Sequence, residues 1–282
     1  MSRRYRLHQT FRYEYTAPIR DLRHRLIVVP PPVHGDQLRL QHRLAVDGAA
    51  VRTTTRVDGF ANHVIEVRAD LVREAIEFDI RLEVEGGLRS APARLPLSAL
   101  GDPRCLEPSP LTVPSPALLD AARQLGRDDC PALELAGRLA RWVQANMRYR
   151  FDATDVYTPA ARALALGAGV CQDYAHVMLA LCRASGLPAR YVSGHLVGEG
   201  GSHAWVEVLV EDGGGARAVA VAFDPTHGRR AETGYVTVAV GRDYADVAPT
   251  SGTFESPGRG RLSSWKRLDV DDRADESSLS AL

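Results

Sequence analysis

A change in the spacing of apolar residues divides this chain into two parts and limits the folds that it can adopt. Up to about residue 88, apolar residues alternate with polar ones, as in residues 76–84, Ile-Glu-Phe-Asp-Ile-Arg-Leu-Glu-Val. Period-two alternation over short runs is typical of antiparallel strands with one buried face. The first part of the chain, residues 1–112, is therefore predicted to form an antiparallel β-sandwich.

A proline-rich segment from about residue 91 to residue 115 comes next and is the best linker candidate. Beyond it, apolar residues recur at helical spacing over 116–122 and 132–147, and several strands are expected after a further helix. We therefore predict an α+β protein whose second domain, residues 113–268, packs helices on an antiparallel sheet. The acidic, serine-rich residues 269–282 are predicted to form a disordered tail.

Composition argues against several classes of function. Lysine plus arginine and aspartate plus glutamate each number 35 among 282 residues, so no basic excess favours nucleic acid or an anionic membrane. The chain lacks a run of about 18 apolar residues and a signal-peptide pattern, and we expect a cytoplasmic protein. Its four cysteines lack metal-ligand spacing, so no metal, disulfide framework or cofactor is predicted. The oligomeric state stays open.

Three short motifs in the second part carry chemical groups of the kind used in nucleophilic catalysis. They are residues 169–174 (Gly-Val-Cys-Gln-Asp-Tyr), 202–205 (Ser-His-Ala-Trp) and 223–226 (Phe-Asp-Pro-Thr). Their local patterns place Cys171 at the start of a helix, His203 at the start of a strand and Asp224 at the end of the next. A thiol needs a base to activate it, and an imidazole needs a carboxylate to orient it. The set therefore predicts a Cys-His-Asp triad.

The expected position of Cys171 favours a reactive thiol. A helix N-terminus offers unpaired N–H groups and the positive end of the helix dipole, and both stabilise a thiolate. On this helix Cys182 shares the face of Cys171 but lies about 16 Å along the axis, too far for a disulfide. His176 lies about 140° around the helix and is a poor base for Cys171. An isolated cysteine is more often a small core residue, so the neighbouring motifs carry the argument.

The spacing of His203 and Asp224 predicts that they face each other. Two strands flank a glycine-rich turn, and a symmetric hairpin centred on Gly213 and Gly214 would pair the two residues directly. Paired residues lie roughly 5 Å apart between Cα atoms, close enough for the carboxylate to bind one imidazole nitrogen. The other nitrogen then remains free to accept the thiol proton.

Several other residues are candidates for contact with substrate. Gln172 follows the nucleophile, Trp205 shares a strand face with the histidine of the triad, and His195 lies within the preceding strand. Each of them could instead have a structural role. Gln172 could complete the first helical turn, Trp205 could pack in the core, and His195 could form a hydrogen bond within the scaffold. His227 follows the last motif and is expected at the rim of the site. A metal site is disfavoured because the motifs supply one well-placed cysteine and no second ligand pair.

The segment from about residue 158 to residue 228 resembles the core of the transglutaminase-like superfamily, a branch of the papain-like cysteine enzymes. The resemblance rests on the three motifs, in this order, and on residues 186–194, Gly-Leu-Pro-Ala-Arg-Tyr-Val-Ser-Gly. The N-terminal strands and residues 240–247 are similar to bacterial members, in which this core follows an N-terminal β-domain. The resemblance implies that the cysteine is the nucleophile, the histidine the base and then the acid, and the aspartate the orienting carboxylate.

The same resemblance implies a thioester formed from an amide, followed by transfer of the acyl group to water or to an amine. Animal transglutaminases use a tryptophan upstream of the cysteine as the oxyanion partner. Trp142 lies upstream here, but on a predicted helix, and it is not assigned that role. No acidic cluster resembles a calcium loop, so calcium activation is not implied.

We therefore expect a cysteine-dependent acyl-transfer enzyme that hydrolyses or transamidates an amide in a peptide or a related small molecule. Two alternatives stay open: an arylamine acyltransferase that uses acyl-CoA, and a non-catalytic peptide-binding or scaffold module that retains the fold. The first needs a groove for a nucleotide, and no glycine-rich phosphate-binding pattern is present. The second would normally lack a triad residue, whereas all three are present.

Overall fold

The computed structural model describes residues 2–87, 91–127 and 130–273 of the chain. It has the α+β architecture that the sequence predicts, built mainly from antiparallel strands. The strands are β1 (Ser2–Tyr15), β2 (Ile19–Val29), β3 (Val33–His34), β4 (Gln37–Asp47), β5 (Arg52–Val57), β6 (His63–Val72), β7 (Ala75–Gly87), β8 (Ala93–Leu95), β9 (Arg148–Tyr149), β10 (Ala168–Gly169), β11 (Ala189–Leu196), β12 (His203–Glu211), β13 (Ala218–Asp224), β14 (Arg229–Arg230), β15 (Tyr235–Gly241), β16 (Thr250–Glu255) and β17 (Gly260–Arg273).

The helices are fewer and lie mostly in the middle of the chain. They are α1 (Pro103–Leu106), α2 (Pro116–Leu125), α3 (Ala132–Asn146), α4 (Ala160–Leu166), α5 (Cys171–Ala184) and α6 (Tyr244–Val247), with a 3₁₀ helix over Leu97–Gly101. Across the described residues, no helix combines the length and the apolar character needed to cross a membrane.

Two antiparallel sheets form the β-sandwich expected for the first part of the chain. One sheet has the order β17-β1-β7-β4-β3 and the other the order β16-β2-β6-β5. On β7 the side chains of Ile76, Phe78 and Ile80 are fully buried, and the residues between them are partly exposed on the opposite face. They share one core with Leu26 and Val67 of the facing sheet. Burial of these alternating faces holds the two sheets together.

The end of the chain returns to this sandwich. β16 pairs with β2, and β17 pairs with β1 along its whole length. The sequence predicts disorder from residue 269, whereas the structure continues β17 to Arg273, and residues 274–282 lie outside its described part. Leu268 and Val270 alternate with aspartates and pack on the sandwich, a period-two pattern that the acidic composition conceals. Strands within the expected second domain therefore belong to the sheets of the first.

The expected linker also contributes to the second part of the molecule. β8 pairs with β13, so residues 93–95 extend the sheet of that part. Pro92 and Pro96 border this short strand, a position where a missing backbone N–H is tolerated. Cys105 lies buried beneath it with Leu209. Part of the proline-rich segment that composition predicts to be a linker is therefore packed into the second part of the molecule.

Helix α5 is the centre of the second part. The sequence predicts its start at Cys171 and its end near Ala184, and the structure has both bounds. Helices α2, α3 and α4 pack around it, and its other side packs on a sheet of order β14-β13-β12-β11-β15. Every residue from Cys171 to Arg183 is buried, rather than a single stripe, because other elements surround the helix.

The hairpin of β12 and β13 differs from the expected register. Val206 pairs with Phe223, and extending that register by one pair puts Trp205 opposite Asp224. His203 therefore lies two residues along its strand from the position that faces Asp224. The contact between the two side chains survives, because side chains two residues apart on a strand share a face and diagonal neighbours remain within reach.

Candidate active site

Cys171 lies in the first turn of α5, at the end of a tightly folded connection. Helix α4 ends at Gly167, whose left-handed backbone (φ 60°) turns the chain back. β10 then pairs in parallel with β9, and the helix begins two residues later. A Cβ atom on Gly169 would lie 2.7 Å from the Cβ of Asp173, so the approach of the chain to the helix start requires glycine. Cys171 itself is 9% exposed.

Asp173 fixes the helix start behind the nucleophile. Its Oδ2 accepts a hydrogen bond from the N–H of Val170 at 2.8 Å and one from the hydroxyl of Thr154 at 2.7 Å. A carboxylate in the first turn satisfies backbone donors that a helix leaves unpaired and complements the positive end of its dipole. Burial raises the pKa of Asp173, and the hydrogen bonds from Thr154 and Val170 oppose that rise.

His203 and Asp224 are hydrogen-bonded to each other at the ends of β12 and β13. His203 Nε2 lies 2.8 Å from Asp224 Oδ2, and both side chains are completely buried. The other imidazole nitrogen, Nδ1, has no aligned hydrogen-bond partner among the described residues. The thiol of Cys171 interacts with this imidazole. The structure thus brings the three residues of the expected triad together, with the histidine between the other two.

Asp224 accepts more hydrogen bonds than a triad requires. Its Oδ2 also accepts from the hydroxyl of Tyr235 and from His227 Nδ1, each at 2.7 Å. Its Oδ1 accepts from the backbone N–H of Thr226 at 2.8 Å. Burial alone would raise the pKa of Asp224, but the hydrogen bonds from His203, His227 and Tyr235 outweigh burial and hold that pKa well below its usual range. The carboxylate is therefore ionised at neutral pH.

The negative charge of Asp224 determines the acid–base behaviour of His203. Burial lowers the pKa of the imidazole, whereas the hydrogen bonds and charges of Asp224 and Cys171 raise it, and the result is a pKa of about 10. The imidazolium form is therefore favoured at neutral pH. An imidazolium beside a thiol is the arrangement that stabilises a nucleophilic thiolate.

Tyr149 is a site residue that the sequence analysis does not identify. It belongs to β9, beside the turn that leads to Cys171, and its ring lies 6.2 Å from that of Tyr174. Burial raises the pKa of Tyr149 to about 12, and the neighbouring Cys171 and Glu199 contribute to the rise. Its hydroxyl is therefore protonated and able to donate a hydrogen bond next to the thiol. Trp142, the other upstream aromatic residue, packs on the core around α5.

Glu199 is a second residue that the sequence analysis does not identify. It lies in the connection between β11 and β12, where its Oε2 is 3.1 Å from His203 Nδ1. Its Oε1 is 3.8 Å from Nε2 of His227, the exposed histidine expected at the rim. The rings of the two histidines lie 5.7 Å apart. A glutamate in a glycine-rich connection belongs to no periodic pattern, so only the tertiary structure reveals these contacts.

The three candidate substrate-binding residues lie in different surroundings. Gln172 is the second residue of α5, next to the nucleophile, and is 8% exposed. Trp205 is 1% exposed and stacks on His203 with ring centroids 6.1 Å apart, so it supports the imidazole from behind. His195 lines a small cavity with Ser193 on the side of the sandwich, and burial lowers its pKa to about 3. In the described part of the chain, no hydrogen bond or ring contact joins it to the triad.

The two residues that helix geometry sets apart from the nucleophile have structural roles. His176 is fully buried, and its Nε2 accepts a hydrogen bond from the backbone N–H of Tyr244 at 3.2 Å. Cys182 is fully buried in the core around α5, and burial raises its pKa to about 12. Neither one is in a position to act with Cys171.

Comparisons with known proteins place this arrangement in a family. Residues 120–220 match the transglutaminase-like superfamily, and residues 5–85 match the bacterial transglutaminase-like N-terminal region. The first match contains Cys171 and His203 and ends before Asp224. An uncharacterised protein of Mycobacterium tuberculosis is 32% identical over 75% of each chain. An uncharacterised protein of Mycobacterium leprae is 40% identical over 42% of this chain and 44% of that one.

A solved structure shows that the fold extends over both parts. The structure of a candidate cysteine protease from Cytophaga hutchinsonii has a TM-score of 0.78 to this chain, with 21% sequence identity, and covers 97% of this chain and 92% of that one. The fold and the site define a cysteine-based enzyme with a papain-like core. Within that class, the chain belongs to the transglutaminase-like superfamily, in its bacterial form with an N-terminal β-domain.

Proposed function

We propose that this protein is a cysteine-dependent acyl-transfer enzyme that hydrolyses or transamidates an amide in a peptide or a related small molecule. The observation that carries the proposal is the buried 2.8 Å hydrogen bond between His203 Nε2 and Asp224 Oδ2, which leaves Nδ1 free of Asp224 on an imidazole that interacts with the Cys171 thiol. An imidazole held in this way can take a thiol proton and later return it to a leaving group.

Acylation begins when the sulfur of Cys171 attacks the carbonyl carbon of the amide. In the thiolate–imidazolium pair the thiol proton already lies on His203 Nδ1, so the attack forms a carbon–sulfur bond and the carbonyl oxygen becomes an oxyanion. When the tetrahedral intermediate collapses, the carbon–nitrogen bond breaks and Nδ1 gives its proton to the leaving amine. A thioester remains on the enzyme. Water or a second amine then attacks this thioester, gives a proton to His203, and releases the thiol.

Two kinds of donor are available to the oxyanion. The N–H groups of Asp173 and Tyr174 donate to the carbonyl of Val170, so the backbone donors proposed for the oxyanion are those of Cys171 and Gln172, at the positive end of the dipole of α5. The hydroxyl of Tyr149 interacts with the thiol from β9 and remains protonated at neutral pH. Donors that are fixed before the reaction stabilise a developing charge most effectively. Gln172, beside the nucleophile, is proposed to contact the bound substrate.

Selective alkylation tests whether the thiol is activated. The full chain is treated with iodoacetamide at pH 7, and modification of each cysteine is followed by mass spectrometry. We expect Cys171 to react at least about tenfold faster than the other three. Burial raises the pKa of Cys182 to about 12 and also raises that of Cys105, so both are poor nucleophiles. The partly exposed Cys130 is the internal control, and equal rates at Cys130 and Cys171 would contradict an activated nucleophile.

Trapping of the acyl-enzyme tests the chemistry itself. Peptides and small amides are incubated with the protein, the reaction is quenched in acid, and intact mass identifies a thioester. We expect an adduct on the parent chain and on Cys130→Ala, and none on Cys171→Ala. Rapid alkylation of Cys171 without an adduct from any acyl donor would support an activated nucleophile and would contradict the acyl-transfer activity.

A further inference from the structure

Glu199, His203 and His227 form a cluster that goes beyond the proposed triad. One ligand atom from each lies within 4.8 Å of the other two. Glu199 Oε2 is 3.1 Å from His203 Nδ1, and Glu199 Oε1 is 3.8 Å from His227 Nε2. In a tetrahedral zinc site with bonds of about 2.0–2.1 Å, neighbouring ligand atoms lie roughly 3.3 Å apart. The two distances, each to a different oxygen of the Glu199 carboxylate, lie on either side of that value.

Asp224 orients both imidazoles towards this cluster. Its Oδ2 is bonded to His203 Nε2 at 2.8 Å and to His227 Nδ1 at 2.7 Å, so the opposite ring nitrogen of each faces Glu199. A metal-bound histidine almost always donates its other N–H to a carboxylate or carbonyl, which sets the tautomer and the ring orientation. Here one carboxylate does this for two histidines, and the hydroxyl of Tyr235 holds that carboxylate in place.

His203 Nδ1 is a buried polar atom without an aligned partner. Its side chain is fully buried, and among the described residues no hydrogen bond of regular geometry reaches this nitrogen. A carboxylate oxygen of Glu199 nevertheless lies only 3.1 Å away. A proton on His203 Nδ1 does not point towards this oxygen of Glu199. A metal ion between the two atoms would need no such alignment and would satisfy both of them.

We propose that Glu199, His203 and His227 bind one zinc ion, and that this ion inhibits the enzyme. Two imidazoles and one carboxylate suit Zn²⁺, whereas Ca²⁺ and Mg²⁺ prefer sites built from oxygen ligands alone. The ion takes the lone pair of His203 Nδ1, which in the proposed reaction must accept the proton of Cys171. The inhibitory effect therefore rests on the proposed acyl transfer, whereas the binding of the ion does not.

The ligand set explains why motif spacing does not predict this site. His203 and His227 lie at the start of β12 and just after β13, and Glu199 is contributed by the connection before β12. Only the folded hairpin brings the three together. The exposed His227 and the partly exposed Glu199 complete the set at the open side, so ions from solvent have access to it.

Equilibrium titration tests the binding. The full chain is freed of metals with a chelator and titrated with zinc chloride at pH 7.5 against a chromophoric zinc indicator. We expect one ion per chain, and a Kd that is at least about tenfold weaker in Glu199→Gln and in His227→Gln. Glu232→Gln, at an exposed glutamate, is the matched control and should stay within about twofold of the parent. Absence of stoichiometric binding, or unchanged affinity in both ligand variants, would overturn the proposal.

Alkylation of Cys171 tests the consequence of binding. Saturating zinc should slow the reaction of the parent chain with iodoacetamide at least about tenfold, and should slow it much less in Glu199→Gln at the same free zinc. The rate at Cys130 reports any general effect of the metal on the reagent. Equal slowing in the parent and in Glu199→Gln would mean that the thiol alone binds zinc, and the three-residue site would be wrong. If Cys171 is unreactive without zinc, the acyl-transfer proposal fails, and the titration still decides the metal site.

Discussion

His203 and Asp224 are hydrogen-bonded through Nε2 and Oδ2 at 2.8 Å although they do not face each other in the β12–β13 ladder. The residue that faces Asp224 in this register is Trp205, whose ring stacks behind the imidazole of His203. The diagonal arrangement moves the imidazole to the very end of the hairpin, where α5 also begins. The site therefore forms where α5 and β12 begin and β13 ends, and a small shift of any of these elements alters its geometry.

Removal of the thiol should lower the pKa of His203. The interaction with Cys171 contributes to the raised value of about 10, so Cys171→Ala leaves the carboxylates of Asp224 and Glu199 to oppose the effect of burial. NMR titration of the histidine ring protons measures this change. Cys130→Ala, at a partly exposed cysteine, is the control and should leave the titration of His203 where it is. An unchanged pKa in Cys171→Ala would show that the thiol and the imidazole do not interact.

Loss of the carboxylate should change how stability depends on pH. The pKa of His203 is higher in the folded chain, about 10, than the ordinary value of 6.5. Its imidazolium therefore stabilises the fold fully below about pH 6.5, and this contribution is lost as the pH rises through about 10. In Asp224→Asn the main cause of the raised pKa is gone, so the decline should be absent or much smaller.

Urea unfolding at pH 6 to 10 measures that difference. We expect the free energy of unfolding of the parent to fall relative to Asp224→Asn by up to about 1.4 kcal/mol per pH unit in this window. Asp70→Asn, at an exposed aspartate, should follow the parent curve. Parallel curves for the parent and Asp224→Asn would rule out the proposed coupling between the carboxylate and the imidazole.

The hydroxyl of Tyr149 should matter for acyl transfer and not for alkylation. Its interaction with the thiol puts a protonated donor beside the attacking sulfur, and we propose that this donor stabilises the oxyanion. Loss of one such donor costs about 10²-fold in rate, so Tyr149→Phe should slow thioester formation by about that factor. Alkylation by iodoacetamide develops no oxyanion, and its rate at Cys171 should stay within about threefold. The exposed Tyr157 supplies the control, Tyr157→Phe. Equal slowing of both reactions would mean that Tyr149 affects the reactivity of the Cys171 thiol rather than the oxyanion.

Features that depend on neighbouring residues were predictable from the sequence. Period-two alternation on β7 predicts the sandwich, because a strand exposes alternate side chains to one face. The start of α5 at Cys171 follows from the glycine-rich turn before it and from the helical apolar spacing after it. Both patterns are local, and burial of the resulting faces reinforces them.

Features that depend on how distant segments meet were not predictable. β17 lies on β1 because the first strand leaves an edge unpaired, and acidic composition near residue 269 does not reveal that edge. The register of β12 and β13 depends on the conformation of their connection, which symmetry alone describes wrongly. Tyr149 and Glu199 come from a two-residue strand and from a connection, where no hydrophobic period exists to mark them.

Gly194 should tolerate no side chain, because it lies under the residue that supports His203. A Cβ atom there would lie 2.5 Å from the ring of Trp205 and would overlap the carbonyl oxygen of Val236. Neither the backbone of β15 nor a buried indole can withdraw, so Gly194→Ala should destabilise the fold by about 1–3 kcal/mol. It should also slow alkylation of Cys171. Gly213→Ala, in an open turn, is the control and should change stability by no more than about 0.5 kcal/mol. Similar stabilities of Gly194→Ala and Gly213→Ala would show that the packing around Gly194 has room for a side chain.

Side-chain amides of the sandwich complete the free edge of the second sheet. β15 is the last strand of that sheet, and its outer backbone groups face the first part of the chain. Asn62 Nδ2 donates to the carbonyl of Val240 at 2.7 Å, and its Oδ1 accepts from the N–H of Val240 at 2.8 Å. Gln37 forms the same pair of hydrogen bonds with Thr237, each at 2.8 Å. The two amides thus take the place of a neighbouring strand.

Asn62→Ala should therefore destabilise the interface between the sandwich and the second part of the molecule. Asn62 is 1% exposed, so its loss leaves the N–H and the carbonyl of Val240 buried and unpaired. Each unpaired group costs about 1–3 kcal/mol, and we expect the free energy of urea unfolding to fall by at least about 2 kcal/mol. Asn146→Ala is the control, since that exposed amide donates to the carbonyl of Trp142 on its own helix. If both variants lose the same small amount, water replaces the amide of Asn62 without cost, and the sandwich does not hold the edge of β15 through it.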